Sequence, residues 1–456
     1  MKNIRTTSSR VINVHIKINN NHHLFVLSGL CLCLAFLPVF ASEQVMPEPL
    51  TLEYALSQAS RTESPEIMNF SAQRQIALAE QDLAASQQGV FVEVNGRLRY
   101  VDPSAIVPAS KTNDSKISLD ISKRLYDFGR TSARIAASKE RLASVDVLYT
   151  DYLSKRKIDI LQAYFNVLLA DIIYNHANEL MAVDYVRMDK MRSRHELSQV
   201  SDVKLLEVEN DYRKIRRERN QALSDQRVTR HRLAQLINPG KLSTKLDMPD
   251  LSRLHQLSAS RELDELESFY QSAYEQNPRI ISIEHQLKSV RHKLNSFQAE
   301  KYPVISAHLQ AADYGRDLGG YDKYRAGIEF KVPIYQAGQE NAKIKKATGK
   351  LIQLEAEKIQ IRQELEQQIL EVWLRITDLK QQISDPDFTL DYRDLYLERS
   401  RALYEMEVTT DLGDAMAELT QAQLFKAQTY FELAVAWAKL DSLLGNSMAY
   451  FESGVE

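Results

Sequence analysis

Apolar residues along this chain recur with two periods, one typical of helices and one typical of strands. Over long stretches they lie three and four positions apart, and over four short stretches they alternate with polar residues. The helical pattern covers residues 50–88, 130–197, 202–237, 263–300, 339–404 and 411–444, with interruptions at Ser64-Pro65, Asn277-Pro278 and Asp385-Pro386. The alternating pattern covers about residues 90–101, 115–126, 303–313 and 324–334. The sequence therefore predicts a mainly α fold with a smaller β portion of four strands.

The stretch 130–197 contains no glycine or proline and predicts one very long helix. Its apolar residues have the spacing of a coiled coil, as in Leu161, Phe165 and Leu168. At about 1.5 Å per residue this helix would be on the order of 100 Å long. The predicted helices 50–88 and 202–237 together reach roughly the same length. We therefore expect these two shorter helices to lie end to end alongside the long one.

The two halves of the chain have the same order of elements. Leu125–Arg130 corresponds to Ile334–Gln339, and Ser201–Val203 corresponds to Thr410–Leu412, in each case 209 positions later. The correspondence predicts two repeats of helix, hairpin, helix and helix. We place the first repeat at 42–240, an equatorial linker at 241–260, the second repeat at 261–446 and a C-terminal tail at 447–456.

Residues 1–41 are predicted to be a signal peptide. Four basic residues precede an apolar run that extends over 24–40, and no acidic residue occurs before or within this run. Ala41 fits the cleavage site. Cleavage would remove both cysteines, Cys31 and Cys33, and would leave no disulfide in an oxidising compartment. It would also leave 54 basic and 61 acidic residues, a net charge of about −7, which disfavours nucleic acid as a partner.

Each predicted strand has one apolar and one polar face, as where Leu119 alternates with Ser118 and Asp120. Strands of about ten residues with this alternation form membrane barrels, although a soluble sheet with one buried face has the same pattern. In a membrane, four strands cannot form a barrel, because an open edge is not tolerated in hydrocarbon. Two copies would give eight strands and a filled interior, whereas three would give twelve strands around an aqueous channel. We favour three copies because many charged residues would face the lumen: Arg97, Arg99, Asp120, Arg325, Glu329 and Lys331.

The chain resembles the TolC family of outer-membrane efflux ducts. The resemblance is carried by the two halves, both strand-to-helix junctions, the Ser201–Val203 turn and the Leu443–Gly445 ending. The resemblance covers about residues 50–446. It implies a homotrimer in the outer membrane of a Gram-negative bacterium, with a twelve-stranded barrel in contact with lipid and an α-helical tunnel through the periplasm. It also implies a periplasmic adaptor and an inner-membrane transporter as partners, substrates that are small molecules or secreted proteins, no cofactor and no enzymatic activity.

The resemblance also assigns roles to individual residues. Gly129, Pro333 and Gly338 would form the strand-to-helix junctions. The tips that contact the adaptor would consist of His195, Glu196, Leu197, Tyr404, Glu405 and Met406. Glu196 and Glu405 stand where the family usually has glycine, which alters both the flexibility and the charge of the tips. No arginine near 405–411 is available as the cation of a gate network.

Three carboxylates near the predicted tips are candidates for a selective periplasmic entrance: Asp202, Asp411 and Asp414. Threefold symmetry would turn each of them into a ring that attracts cations. The alternative is that these residues cap helix N-termini, where aspartate is favoured. For the whole chain, the alternative function is a periplasmic coiled-coil structural or adaptor protein. That function does not explain four alternating strands placed symmetrically before the long helices.

Overall fold

The computed structural model describes residues 47–61, 64–102, 112–237, 245–315, 322–406 and 412–446. The predicted signal peptide, the C-terminal tail and the entrance candidate Asp411 lie outside these residues. Within the described part of the chain, ten α-helices and four strands are found, with two short 3₁₀ turns at Gln58–Ser60 and Ala299–Lys301. No described helix is both long enough and apolar enough to cross a membrane.

The elements follow the duplicated order. The first repeat contains α1 (Leu52–Ser57), α2 (Pro65–Ser86), β1 (Val90–Arg97), β2 (Lys116–Tyr126), α3 (Arg130–Glu196) and α4 (Asp202–Ile237). Then come α5 (Leu251–Ala259), α6 (Leu266–Gln276), α7 (Pro278–Gln298), β3 (Val304–Tyr314), β4 (Tyr324–Lys331), α8 (Gln339–Gln381), α9 (Asp385–Glu405) and α10 (Leu412–Leu443).

Several predicted boundaries were wrong. The stretch 339–404 was predicted as one long helix with an irregularity at Asp385-Pro386, but it is divided there into α8 and α9, because Pro386 occupies the first turn of α9 and cannot donate a backbone hydrogen bond. The linker 241–260 contains the helix α5, whose N-terminus is capped by the Asp250 carboxylate through the amides of Ser252 and Arg253.

Two strands also differ from the prediction. β1 ends at Arg97, four residues early, and β4 ends at Lys331, two residues before Pro333. The predicted interruptions of two helical stretches are found. The stretch 263–300 is divided into α6 and α7 at Asn277, which caps α7 and precedes Pro278. The stretch 50–88 is divided into α1 and α2, and proline again starts the second helix.

The helices form one layer in which short helices stack against long ones. α3 packs against α2, α4, α7 and α10, and α7 and α10 in turn pack against α8 and α9. Large buried side chains lie near the middle of α3 and α10, where the rings of Phe165 and Phe431 stack with centroids 4.1 Å apart. Trp437 is also buried, and its indole Nε1 donates to the Ser258 carbonyl at 3.1 Å.

The four strands form one antiparallel sheet in the order β1-β2-β3-β4. β2 and β3, at the centre, come from different repeats, and their register shifts between Arg124 and Tyr126. Both central strands are fully paired within the sheet, whereas β1 and β4 each have one edge without a partner in the described part of the chain. The sheet joins the two repeats at the end of the molecule where α3 and α8 begin.

Candidate functional site

The strand register gives the sheet one polar and one apolar face. Glu93, Asp120, Gln310 and Arg325 are aligned across the four strands on the polar face. The neighbouring row, on the other face, is apolar and consists of Val92, Ile121, Leu309 and Ala326. Side chains on a strand point alternately to the two faces, so the pattern read from the sequence is also the pattern of the sheet.

The apolar face is uncovered in a single chain. The exposed fractions are 69% for Val94, 62% for Ile328 and 67% for Phe330. An exposed apolar surface of this extent is a site for contact with lipid or protein. Together with the two unpaired edges, it indicates that the isolated sheet is not the complete structural unit.

The polar face carries most of the residues predicted to face the lumen. Arg97, Asp120, Arg325, Glu329 and Lys331 all lie on it by register. The Asp120 carboxylate accepts hydrogen bonds at 2.9 Å from Asn95 and at 2.8 Å from Ser118, and a further one from Gln310. Glu329 lies 3.0 Å from the ring Nε2 of His308.

Arg99 differs from the other predicted lumen residues because it lies beyond the end of β1. Its guanidinium pairs with the buried carboxylate of Asp114 across the start of the hairpin loop. The neighbouring Tyr100 forms an isolated bridge with Asn113. Arg99 therefore fixes the end of the hairpin, and its placement on the polar face stays a prediction.

The two strand-to-helix junctions share an unusual backbone. Gly129 and Gly338 are the N-terminal caps of α3 and α8, with φ angles of 86° and 79°. The residues before them, Phe128 and Ala337, also have positive φ angles, of 53° and 49°. Only glycine adopts this conformation without strain, which explains the glycine in both repeats. Pro333 lies between β4 and α8, where no strand pairing requires its missing amide hydrogen.

Side chains fix the first junction but not the second. The Asp127 carboxylate accepts from the Thr131 amide at 3.0 Å and pairs with Arg124 at 3.3 Å. Gln336 occupies the corresponding position in the second repeat, where the backbone turn is kept through Gln339 N to Gln336 O at 3.0 Å. The first repeat therefore has a charged cap that the second lacks.

At the opposite end, the tip residues are mostly exposed. His195 Nε2 lies 2.6 Å from Asp202 Oδ1 across the turn between α3 and α4. Leu197, Tyr404 and Met406 have exposed fractions of 69%, 52% and 62%. Glu196 and Glu405 are also exposed. The Asp202 carboxylate is therefore a partner of His195 in the tip of its own chain.

The entrance candidate Asp414 has a cationic partner that the sequence did not reveal. The Arg187 guanidinium on α3 binds both carboxylate oxygens of Asp414, at 3.1 and 2.9 Å, and also binds Asp184 at 2.7 Å. Arg187 is 227 positions from Asp414 and far in sequence from residues 405–411, which contain no arginine. No local signal in the sequence could have paired them.

Burial and neighbouring charges perturb Asp184 within this cluster. Burial raises the pKa of the Asp184 carboxyl, Arg187 lowers it, and the charges of Asp414 and Asp211 raise it. The result is a raised pKa. The helices also approach closely here, since a Cβ added at Gly413 would lie 2.6 Å from Val183 Cγ2. Among the described residues there is no group of three or more histidine, cysteine, aspartate or glutamate side chains that could hold a metal ion.

Known proteins resemble this chain in sequence and in fold. The family model "Outer membrane efflux protein" matches residues 269–446. The outer membrane protein TolC of Escherichia coli is 22% identical over 396 residues, which cover 80% of this chain and 78% of TolC. Two solved structures share the fold at low identity. CusC has a TM-score of 0.68, 18% identity and coverage of 87% and 92% of the two chains. The Campylobacter jejuni channel CmeC has a TM-score of 0.69, 14% identity and coverage of 86% and 85%.

These similarities extend over both repeats, the sheet and the stacked helices, as the resemblance in the sequence predicted. The prediction of a TolC-like fold is confirmed. Residues 269–446 thus match the outer membrane efflux protein family, and the whole chain is similar to TolC and shares the fold of outer-membrane channels such as CmeC.

Proposed function

We propose that three copies of this chain form a passive exit duct of a tripartite efflux or type I secretion system. The duct would carry substrates from an inner-membrane transporter through the periplasm and the outer membrane, and a periplasmic adaptor would join the two. The match of residues 269–446 to the efflux family and the similarity to TolC support the duct. Energy would come from the transporter, and the duct itself would have no catalytic role.

The main support is the sheet, which has an exposed apolar face and two open edges. If β4 of one copy pairs with β1 of the next, three copies give a closed barrel of twelve strands without an edge. Lipid would cover the apolar face, and the charged side chains of Arg97, Asp120, Arg325, Glu329 and Lys331 would line an aqueous lumen. A coiled-coil scaffold would leave the apolar face without a partner.

The helical layer is open at the same two sides as the sheet. α2 and α4 pack mainly against α3, and α8 and α9 pack mainly against α7 and α10, so each pair has a free outer side. Apolar side chains are exposed on both outer sides. Ile76 and Leu83 on α2 have exposed fractions of 60% and 68%, and Ile352 and Ile359 on α8 have 63% and 59%. Neighbouring copies would cover these residues.

A crosslinking experiment tests the closure of the barrel. Cysteine at Val94 and at one of the apolar-face positions Ala326, Ile328 or Phe330 should form disulfides between chains and give a covalent trimer. The matched control, Asn95→Cys with Ile328→Cys, places the two thiols on opposite faces and should not crosslink. A detergent-corrected mass of one or two chains, or dimers as the largest crosslinked species, would refute the trimer.

We place the entrance of the duct at the tips, with Asp414 as the described candidate and Asp411 and Asp202 as further ones. Because Arg187 binds Asp414, neutralising the aspartate alone would also free a cation. We therefore expect Asp414→Ala to change cation preference more than the double variant Arg187→Ala/Asp414→Ala. Equal ion selectivity of wild type and both variants in single-channel recordings would exclude Asp414 from the entrance.

The adaptor would bind the exposed tips, which consist of His195, Glu196, Leu197, Tyr404, Glu405 and Met406. Leu197→Asp and Met406→Asp should abolish co-purification of the adaptor while leaving the trimer intact. The control Val186→Asp changes an exposed apolar residue on α3, nearly three turns from the end of the helix. If adaptor binding is the same in all three variants, the adaptor binds elsewhere.

A further inference from the structure

A cavity of about 510 Å³ lies between four helices at the end of the helical layer nearest the sheet. α2, α3, α7 and α8 all contribute side chains to it. Its charged lining residues are Glu80, Arg141, Lys293, Lys343, Lys346 and Lys350. Five of these six side chains are basic, and no residue assigned so far to the lumen, the junctions or the tips is among them.

Most of the basic groups in the cavity have no acidic partner. Lys343 is paired, since its Nζ lies 2.7 Å from the Glu300 carboxylate, and Lys350 donates to the neutral Gln353 at 3.1 Å. Arg141, Lys293 and Lys346 are exposed, and no hydrogen bond or ion pair joins them to another described residue. The cavity therefore carries a clear excess of positive charge.

The cavity opens on one face of the helical layer. The four helices lie side by side in the order α2, α3, α7, α8, and all four contribute side chains to it. A second cavity, of about 690 Å³, continues along the same side of α7 and α8 and shares Gln286 with the first. We take this face to be the one that three copies would enclose around a channel.

We infer that the cavity is a binding site for anionic groups in the lumen of the duct. The ligands would be carboxylate- or phosphate-bearing cargo, held by Arg141, Lys293, Lys346 and Lys350 just before it enters the barrel. This inference rests on the proposed trimeric duct. Threefold symmetry would repeat the site around the channel and produce a basic belt, opposite in charge to the acidic candidates at the periplasmic tips.

The physical reason is the closeness of like charges in a confined space. Several cations that line one cavity add their potentials, and together they can bind one multivalent anion through several contacts at once. Arginine adds a planar donor pair that matches carboxylate and phosphate oxygens. Glu80 is the one carboxylate that lines the cavity, so it offsets only part of the charge.

The test uses the full trimer in a planar bilayer, with inorganic tripolyphosphate as the probe. We compare Arg141→Gln/Lys293→Gln with Lys139→Gln/Lys288→Gln, which removes the same charge from the same two helices. Lys139 lies about 160° from Arg141 around α3, and Lys288 lies about 140° from Lys293 around α7. Both control residues are exposed, and neither lines the cavity.

We expect tripolyphosphate to block the wild-type channel and the control variant at similar concentrations. The cavity variant should need about tenfold more probe, because two of the free cations are lost from each copy. Adding Lys346→Gln should weaken the block further. Equal block in the cavity and control variants, or no block of the wild type, would overturn the inference.

The outcomes separate this inference from the proposed function. Failure to form conducting trimers would refute the duct, whereas conducting trimers with no difference between the two variants would refute only the anion site. A third result would assign the cavity to lipid phosphate and also overturn the inference. In that case the purified wild type, but not the cavity variant, would retain anionic phospholipid, and the conductance would not respond to tripolyphosphate.

Discussion

Replacing Glu300 with glutamine should destabilise the junction between the sheet and the helical layer. The side chain is 4% exposed and lies in the 3₁₀ turn just before β3. Its carboxylate accepts hydrogen bonds from Arg130 at 3.0 Å, Arg134 at 3.1 Å and Lys343 at 2.7 Å. One buried carboxylate thus joins the starts of α3 and α8, which belong to different repeats.

The magnitude follows from the three cations that would lose their partner. Removing one member of a buried ion pair costs about 3–5 kcal/mol, because the remaining charge is left without compensation. The side chains of Arg130, Arg134 and Lys343 are 25%, 29% and 33% exposed, so water screens part of this cost. Glutamine also keeps one hydrogen-bond acceptor. We therefore expect a loss of about 2–3 kcal/mol in the free energy of unfolding.

The pH dependence provides a second test of the same network. Burial by itself raises the pKa of the Glu300 carboxyl, but the hydrogen bond from Lys343 and the charges of Arg130, Lys343 and Arg134 outweigh it and lower the pKa below 4.5. A carboxyl whose pKa is lowered on folding stabilises the protein above its unfolded pKa and stops doing so as the pH falls below it. The difference between wild type and Glu300→Gln should therefore be full at pH 7 and shrink below about pH 4.5.

The assay is guanidinium unfolding in detergent at fixed protein concentration, followed by the fluorescence of Trp373 and Trp437, the two tryptophans of the chain. The matched control is Glu355→Gln on α8, since the Glu355 side chain is 58% exposed and its contact with Arg291 is 4.0 Å long. The control should change stability by less than about 1 kcal/mol. If Glu300→Gln lowers the free energy of unfolding by no more than the control does, the Glu300 carboxylate does not stabilise the junction.

Three further predictions concern the middle of the helical layer and the tips. Phe165→Ala should cost about 3–5 kcal/mol in guanidinium unfolding, because Phe165 and the ring it stacks on, Phe431, are each 1% exposed; a loss under about 1 kcal/mol would contradict this. Gly413→Ala should push α10 away from α3 and raise the resting single-channel conductance, because the new Cβ would lie 2.6 Å from Val183 Cγ2. Adding Val183→Ala should restore the conductance, and failure to do so would exclude the steric explanation. The raised pKa of Asp184 means that the protonated form favours the packed tip, so resting conductance should rise as the pH is raised above about 4. Asp184→Asn should remove this pH dependence of the conductance. If the variant has the same pH profile as the wild type, Asp184 is not the group that titrates.

The sequence predicted most elements because each has one apolar face and therefore a clear period. α3 begins at its predicted residue and ends at Glu196, one residue early, since no proline or glycine interrupts it and a glycine with positive φ precedes it. The polar and apolar faces of the sheet also follow from alternation alone. The positions of the helix breaks at Pro65, Pro278 and Pro386 could also be read from the sequence. Errors occurred at strand ends such as that of β1, and where a short amphipathic helix, α5, lay within a polar segment.

The candidate site was harder to predict, because periodicity indicates which face of a helix is apolar but not which distant residue lies opposite. The pairing of Arg187 with Asp414 depends on how α3 and α10 are aligned along their length. The cavity requires Arg141 and Lys293 to point to the same side of two helices that are far apart in sequence. Neither arrangement leaves a mark in the local sequence.

A comparison of the two strand-to-helix junctions indicates which of them needs a neighbouring copy in order to fold. In the first repeat, Asp127 is buried and bound to Thr131 and Arg124, so the start of α3 is fixed within one chain. In the second repeat, Ile334 and Tyr335 are 95% and 86% exposed between β4 and α8. Two large apolar side chains beside an open strand edge would be costly in water, and a neighbouring copy would bury them. Folding of the second junction should therefore be coupled to assembly, whereas the first can form in the monomer.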